Sequence, residues 1–277
     1  VSWRFALRPK WIIRHVAVVA LVVTMVLLGL WQLRRLDEKQ AHKELVQSRQ
    51  EAPAVDVAQL VPAGVEVGDD AIDDVVQRAV TATGTYAGDD TFIVENRTYN
   101  GASGAWVLTP LVLDDGSAVV VNRGFIGFDE DGEFSPPAPP EGTVTVEGIA
   151  LESETRGRFG AADPDQGDLA VLARVDLERV EELVDYDVRA VYVQRASSQP
   201  PETSGEGPEL VALGRPEPTE GPHLSYAVQW FTFTTIAIVG YALLLRRVAR
   251  DEAQELAAAE ADAAVDRELA AMLDADR

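Results

Sequence analysis

Two long apolar segments near the ends of the 277-residue chain limit what it can fold into. Residues 16–33 read VAVVALVVTMVLLGLWQL and residues 226–245 read YAVQWFTFTTIAIVGYALLL. Roughly 18 to 20 apolar residues in a helix match the hydrocarbon core of a bilayer. Trp11-Ile12-Ile13 forms an apolar approach to the first segment. The expected architecture is a membrane protein whose two transmembrane α-helices flank an α+β domain. The expected divisions are 1–15 (basic and cytoplasmic), 16–33 (first span), 34–223 (extracytoplasmic domain), 224–245 (second span) and 246–277 (cytoplasmic Ala/Glu-rich tail).

Charge sets the expected orientation. Arg4, Arg8, Lys10 and Arg14 precede the first span, and Arg246, Arg247 and Arg250 follow the second. The positive-inside rule then places both termini in the cytoplasm. Arg34, Arg35 and Lys39 count against this, whereas Arg215 is the only basic residue just before the second span. The basic N-terminal stretch also suits a signal peptide. The apolar run is too long for one, however, and ends in Trp31-Gln32-Leu33-Arg34-Arg35 with no small-x-small cleavage site, so a retained anchor is expected.

The formal net charge is −22, and the segment from Asp37 to His223 holds 37 acidic against 13 basic residues. An acidic field of this size repels nucleic acid, so no nucleic-acid partner is expected. Solubility explains it most simply, and docking to a basic partner is the alternative. The chain has no cysteine, so the domain must hold together on its apolar core. With only Met25 and Met272 as soft ligands, copper delivery is excluded, and with three histidines no zinc site is expected.

Residues 34–50 are rich in helix formers and extend the first span. Residues 51–70 carry Pro53, Pro62, Gly64 and Gly68 and read as a loop. Strands are expected over 80–86, 91–94, 106–113, 118–121, 143–149 and 188–194. The runs 106–113 and 118–121 are joined by Asp114-Asp115-Gly116-Ser117, a strong hairpin signal in which Gly116 tolerates positive φ. Residues 135–140 (SPPAPP) read as a stiff linker, 176–184 as a short helix capped by Asp176, and 197–208 as a loop. Consecutive hairpins favour an antiparallel, barrel- or sandwich-like sheet. The tail after Arg250 reads as a weakly amphipathic helix, with Leu256, Leu269 and Leu273 among alanines.

No nucleophile elbow, zincin motif, phosphate loop or dinucleotide fingerprint occurs, so the chain is not expected to be an enzyme. The residues of interest lie elsewhere. His15 is expected at headgroup level and His42 in solvent. His223 stands at the outer mouth of the second span. If the helix starts there, His223, Tyr226 and Trp230 follow i, i+3, i+7 spacing on one face. Such an imidazole beside aromatic rings can ligate a haem iron, but from spacing alone an interfacial aromatic belt is the stronger reading. Gln32 and Gln229 sit at the outer ends of the spans, placed to hydrogen-bond across the hairpin or to a partner. Asn122-Arg123-Gly124 ends a strand, where Arg123 can offer its fork to a carboxylate or propionate, or form one internal salt bridge. Arg97 has the same two readings.

Four motifs together resemble the Surfeit locus family of cytochrome c oxidase assembly factors. Leu28-Gly29-Leu30-Trp31-Gln32-Leu33-Arg34 is similar to that family's exit from the first span, and Val107-Leu108-Thr109-Pro110-Leu111 to its Val-x-Thr-Pro strand. Val120-Val121-Asn122-Arg123-Gly124-Phe125-Ile126 is similar to its Val-Asn-Arg-Gly core motif. His223-Leu224-x-Tyr226-Ala227-x-x-Trp230-Phe231, followed by Gly240-Tyr241 and Arg246-Arg247, is similar to its second span. Gly221-Pro222 and Phe125 depart from the family's usual Asn-Asn and Trp. The resemblance implies an assembly factor for a haem-a-containing oxidase in a bacterial plasma membrane, assisting haem a insertion or subunit I maturation. It implies haem a as a transient cofactor on His223, with Tyr226, Trp230, Trp31 and Gln32 around it and Asn122 and Arg123 as partner or propionate contacts. Subunit I or a respiratory supercomplex and the lipid bilayer are the implied partners. The competing expectation is a permanent accessory subunit of a respiratory complex.

Overall fold

The computed structural model describes residues 3–157, 170–202 and 209–275. They fall into two compact units, one of residues 1–41 with 219–277 and one of residues 42–218.

The first unit is a helical hairpin. Helix α1 (Pro9–Glu51) begins in this unit and α4 (His223–Ala275) completes it. Both are long and apolar enough to cross a membrane, and only 6% of the most apolar stretch of each is buried. The helical extension expected over 34–50 is present. The less exposed positions of α1 include Trp11, His15, Val18, Val22, Met25, Gly29, Gln32 and Leu36, and those of α4 include His223, Ala227, Trp230, Thr234, Ala237 and Tyr241. Steps alternating between four and three residues are the signature of a heptad seam. The helices run antiparallel, since Arg8 pairs with Glu252 (2.5 Å) while Gln40 reaches Glu220 (3.5 Å). Small residues let the backbones approach, as expected of helices packed without a hydrophobic drive between them. A Cβ at Gly29 would stand 2.9 Å from the Phe231 ring. The expected tail helix is continuous with α4, and Leu256 on it is exposed. Leu269 and Leu273 lie outside the residues whose side chains are described.

The second unit contains β1 (Val55–Asp56), α2 (Val57–Leu60), β2 (Ala79–Tyr86), β3 (Phe92–Tyr99), β4 (Ala102–Leu113) and β5 (Ala118–Ile126). It continues with β6 (Thr143–Glu152), β7 (Val171–Leu172), α3 (Leu177–Leu183) and β8 (Val188–Gln199). The sheet order is β1-β2-β6-β8-β5-β4-β3-β7, and β2 also pairs with β4. That extra pairing closes a five-stranded ring, β2-β6-β8-β5-β4. Closure requires β2 to serve two neighbours, and it does so where it is thinnest. Gly84 faces Val144 on one side and Leu113 on the other, and a Cβ there would lie 2.1 Å from the Val112 carbonyl oxygen.

Alternation along each strand separates two apolar layers. Val80, Ala82, Leu111, Val119, Val121, Val146, Val191 and Val193 form one buried cluster, the ring interior. Leu108, Val120, Ile149 and Tyr192 face the other way and pack with Leu172, Leu177 and Val180. Asp176 caps α3 as expected, its Oδ1 accepting from the Arg179 amide at 3.2 Å. The hairpin at 114–117 also forms, with Gly116 at φ +84° and Asp115 Oδ1 accepting from the Ser117 amide at 3.0 Å.

The sheet is mixed rather than purely antiparallel, because β5 pairs with β8, β1 with β2 and β3 with β7 in parallel. The expected loop at 51–70 contains β1 and α2, two elements too short to show a period. Residues 197–199 extend β8, where 197–208 read as loop, and 203–208 lie outside the described residues.

Candidate functional site

The end of the hairpin where α4 begins brings two of the expected residues into contact. His223 opens α4 and Gln32 occupies a seam position of α1, and His223 Nδ1 lies 2.9 Å from Gln32 Oε1. An amide oxygen only accepts, so Nδ1 carries the proton and Nε2 keeps its lone pair. Nε2 makes no hydrogen bond to any described residue. Gly221 leaves room beside it, since a Cβ at that position would stand 3.4 Å from Nε2.

The aromatic residues do not converge on this imidazole. Trp31 is 55% and Tyr226 47% exposed, each off the seam. Trp230 is half-buried and packs edge-on against Phe233, with 6.2 Å between centroids. Gln229 is exposed. The unit therefore presents a half-buried histidine with exposed rings around the end of the hairpin.

The opposite end of the seam provides a control. His15 is half-buried in the seam. Its Nε2 donates to the Ala6 carbonyl at 3.2 Å, and its Nδ1 accepts from the Tyr241 hydroxyl at 2.6 Å. Trp11 packs beside it at 6.2 Å, and the buried Phe5 packs edge-on against Trp11 at 5.1 Å. Both ring nitrogens are spent, so this histidine is a structural clasp. His42 is exposed, as expected.

In the second unit, strand register decides the fate of the Asn-Arg-Gly motif. Val119 and Val121 point into the ring, so Arg123 does too, and it is fully buried. Tyr86 on β2 and Arg195 on β8 are buried by the same alternation. Arg123 Nη2 donates to Glu202 Oε2 at 2.6 Å, Nε approaches both carboxylate oxygens at 3.2 and 3.3 Å, and Nη1 donates to the Pro137 carbonyl at 3.0 Å. Arg195 Nε donates to the Arg123 carbonyl at 2.7 Å and lies 3.6 Å from Glu202 Oε1. Of the two readings of Arg123, the geometry is that of the internal salt bridge. Asn122 points to the other face, is fully buried, and accepts the Gly124 amide at 3.2 Å. Burial is the largest influence on Tyr86 and pushes its phenol well above the ordinary range, with Glu202 adding to the rise; burial also lowers Arg195 from its usual value. Arg97 likewise pairs internally, with Glu154, and stacks 4.0 Å from the Trp106 ring.

Comparison with known proteins decides the family. The SURF1 family model matches residues 19–235. The chain belongs to the SURF1 family. An uncharacterized SURF1-like protein of Mycobacterium tuberculosis is 30% identical over 240 residues, covering 85% of this chain and 83% of its own length. A Mycobacterium bovis counterpart matches to the same extent. A SURF1-like protein of Rickettsia bellii is 24% identical over 229 residues, or 82% of this chain and 88% of that one.

The part matched as SURF1 includes Gln32, Arg123 and His223 but stops before Tyr241 and starts after His15. Sequence reasoning on this SURF1-family chain missed the Tyr241 clasp, although a histidine near the start of one apolar helix and a tyrosine near the far end of the other's apolar stretch meet once the two run antiparallel. Glu202 carried no such signal, being one of many carboxylates in an irregular segment.

Proposed function

We propose that the protein is an assembly factor for a haem-a-containing cytochrome c oxidase, assisting haem a insertion or subunit I maturation at the membrane. Family membership supports the role in general terms, and the unengaged Nε2 of His223 is the observation that carries the finer reading. In this reading the two apolar helices span a bacterial plasma membrane, both termini are cytoplasmic and the second unit is extracytoplasmic. That only 6% of each apolar stretch is buried supports insertion, because such surface is costly in water. The chain acts as a carrier and not as an enzyme.

The residues at the hairpin end fit a haem as a handover site would. His223 offers one neutral imidazole nitrogen, the usual axial donor, with its other nitrogen already hydrogen-bonded. Exposed Trp31 and Tyr226 and half-buried Trp230 offer ring surface without enclosing a pocket. When bound, haem a would supply the redox-active iron that the finished oxidase uses. The chain's own residues would hold it by one ligand and leave the remaining surface to subunit I or lipid. Arg123 takes no direct part, because its fork is committed to Glu202.

The strong negative charge favours a second reading, a permanent subunit whose acidic domain meets a basic partner. A reduced-minus-oxidised spectrum of membranes from a deletion strain separates the two. Loss of the haem a band with other cytochromes intact is the expected result. An unchanged band would overturn the assembly role and favour the accessory subunit.

A further inference from the structure

We infer that Gln32 is a positioning residue that fixes which nitrogen of His223 is available to a ligand. The inference rests on the proposed ligand role of His223 and extends it to a residue on the other helix. Neutral imidazole has two tautomers, and the hydrogen bond made by one nitrogen selects the state of the other. Here the partner of Nδ1 is a side-chain oxygen that can only accept. The proton is therefore held on Nδ1 and the lone pair is presented at Nε2. Metal-binding histidines in general donate their second nitrogen in this way, which orients the ring and raises the basicity of the ligating atom.

Three further observations bear on this assignment. Gln32 occupies a seam position, with Gly29 one turn before it and Leu36 one turn after, so its side chain is directed at α4 by the packing itself. At the other end of the same seam, His15 is held in the opposite tautomer by Ala6 and Tyr241, and both of its nitrogens are used. A polar pair needed only to glue the helices together is satisfied that way; the His223–Gln32 pair leaves one nitrogen over. Lastly, Gly221 has φ +70° and no side chain to cover Nε2. The site is thus cleared on the side of the free nitrogen and fixed on the side of the bonded one.

Two readouts on the full chain in detergent test the assignment, and one of them needs no haem. The chain has three histidines, so nitrogen NMR of imidazole-labelled protein gives three side chains to assign, using His15→Gln and His42→Gln. His223 is expected as the Nδ1–H tautomer in the parent and as a mixture in Gln32→Leu. Gln32→Glu keeps an acceptor oxygen at the same reach and is expected to keep the parent tautomer. In parallel, haemin titration followed by absorption is expected to show binding weakened about 10- to 100-fold in Gln32→Leu and retained in Gln32→Glu. Leucine at an apolar seam preserves helix packing, and the glutamate variant guards against loss by misfolding. An unchanged tautomer in Gln32→Leu overturns the assignment, as does unchanged haemin affinity where His223→Ala abolishes binding. Haemin bound no better by the parent than by His223→Ala, with the tautomer still responding to Gln32→Leu, upholds the role of Gln32 and refutes the ligand reading of His223.

Discussion

The ring-shaped domain and the helical hairpin treat their polar residues in opposite ways. Inside the domain, Arg123 is fully buried and its guanidinium is occupied by Glu202 and Pro137. At the end of the hairpin, His223 is half-buried and one of its nitrogens has no described partner. A buried charge must be paired, because leaving it bare costs several kcal/mol. A half-exposed imidazole carries no such obligation and can wait for a ligand. The difference teaches where to look for function in this chain: an arginine in a family motif is taken up by the fold, and a histidine keeps one nitrogen without a described partner.

The largest test of that contrast removes the closed network. Arg123→Ala leaves Glu202 only the longer contact to Arg195 at 3.6 Å and is expected to destabilise the domain by about 3–5 kcal/mol in denaturant unfolding of the full chain. A cost below about 1 kcal/mol would show that the network is not obligatory. A smaller effect sharpens the picture inside the ring. The buried Tyr86 hydroxyl has no hydrogen-bond partner among the described residues, so Tyr86→Phe is expected to be neutral or to stabilise by about 1 kcal/mol at neutral pH. The raised phenols of Tyr86 and Tyr192 also give a pH signature. Above the ordinary tyrosine value of 10.0 the unfolded chain loses these protons while the folded chain keeps them, so stability falls as pH rises beyond that value. Each tyrosine contributes a slope of about 1.4 kcal/mol per pH unit, and Tyr86→Phe should remove one share. The smallest effect is expected at the open end. His223→Ala loses one hydrogen bond to Gln32 and should cost no more than about 1 kcal/mol.

The sequence made the elements legible and left their closure hidden. Both long apolar helices, the helical extension, the Asp114–Ser117 turn and the Asp176 cap were readable because each depends on neighbours a few residues away. The parallel β5–β8 pair and the β2–β4 contact join residues far apart in sequence, and no turn chemistry announces them. Arg123 could have been placed inside the ring by counting alternate residues from Val119 and Val121, but its carboxylate partner could not. At the hairpin, span lengths alone put Gln32 and His223 at one level. Trp31 stands one residue from Gln32, about 100° around the helix, which is why it faces outward instead of joining the histidine.

His223 and His15 differ in whether a nitrogen is left for a ligand. The most direct measurement is the absorption spectrum of the full chain purified from membranes that make haem a, for the parent, His15→Gln and His223→Ala. Haem carried by the parent and by His15→Gln but absent from His223→Ala is the predicted result. Equal haem on the parent and on His223→Ala would contradict it.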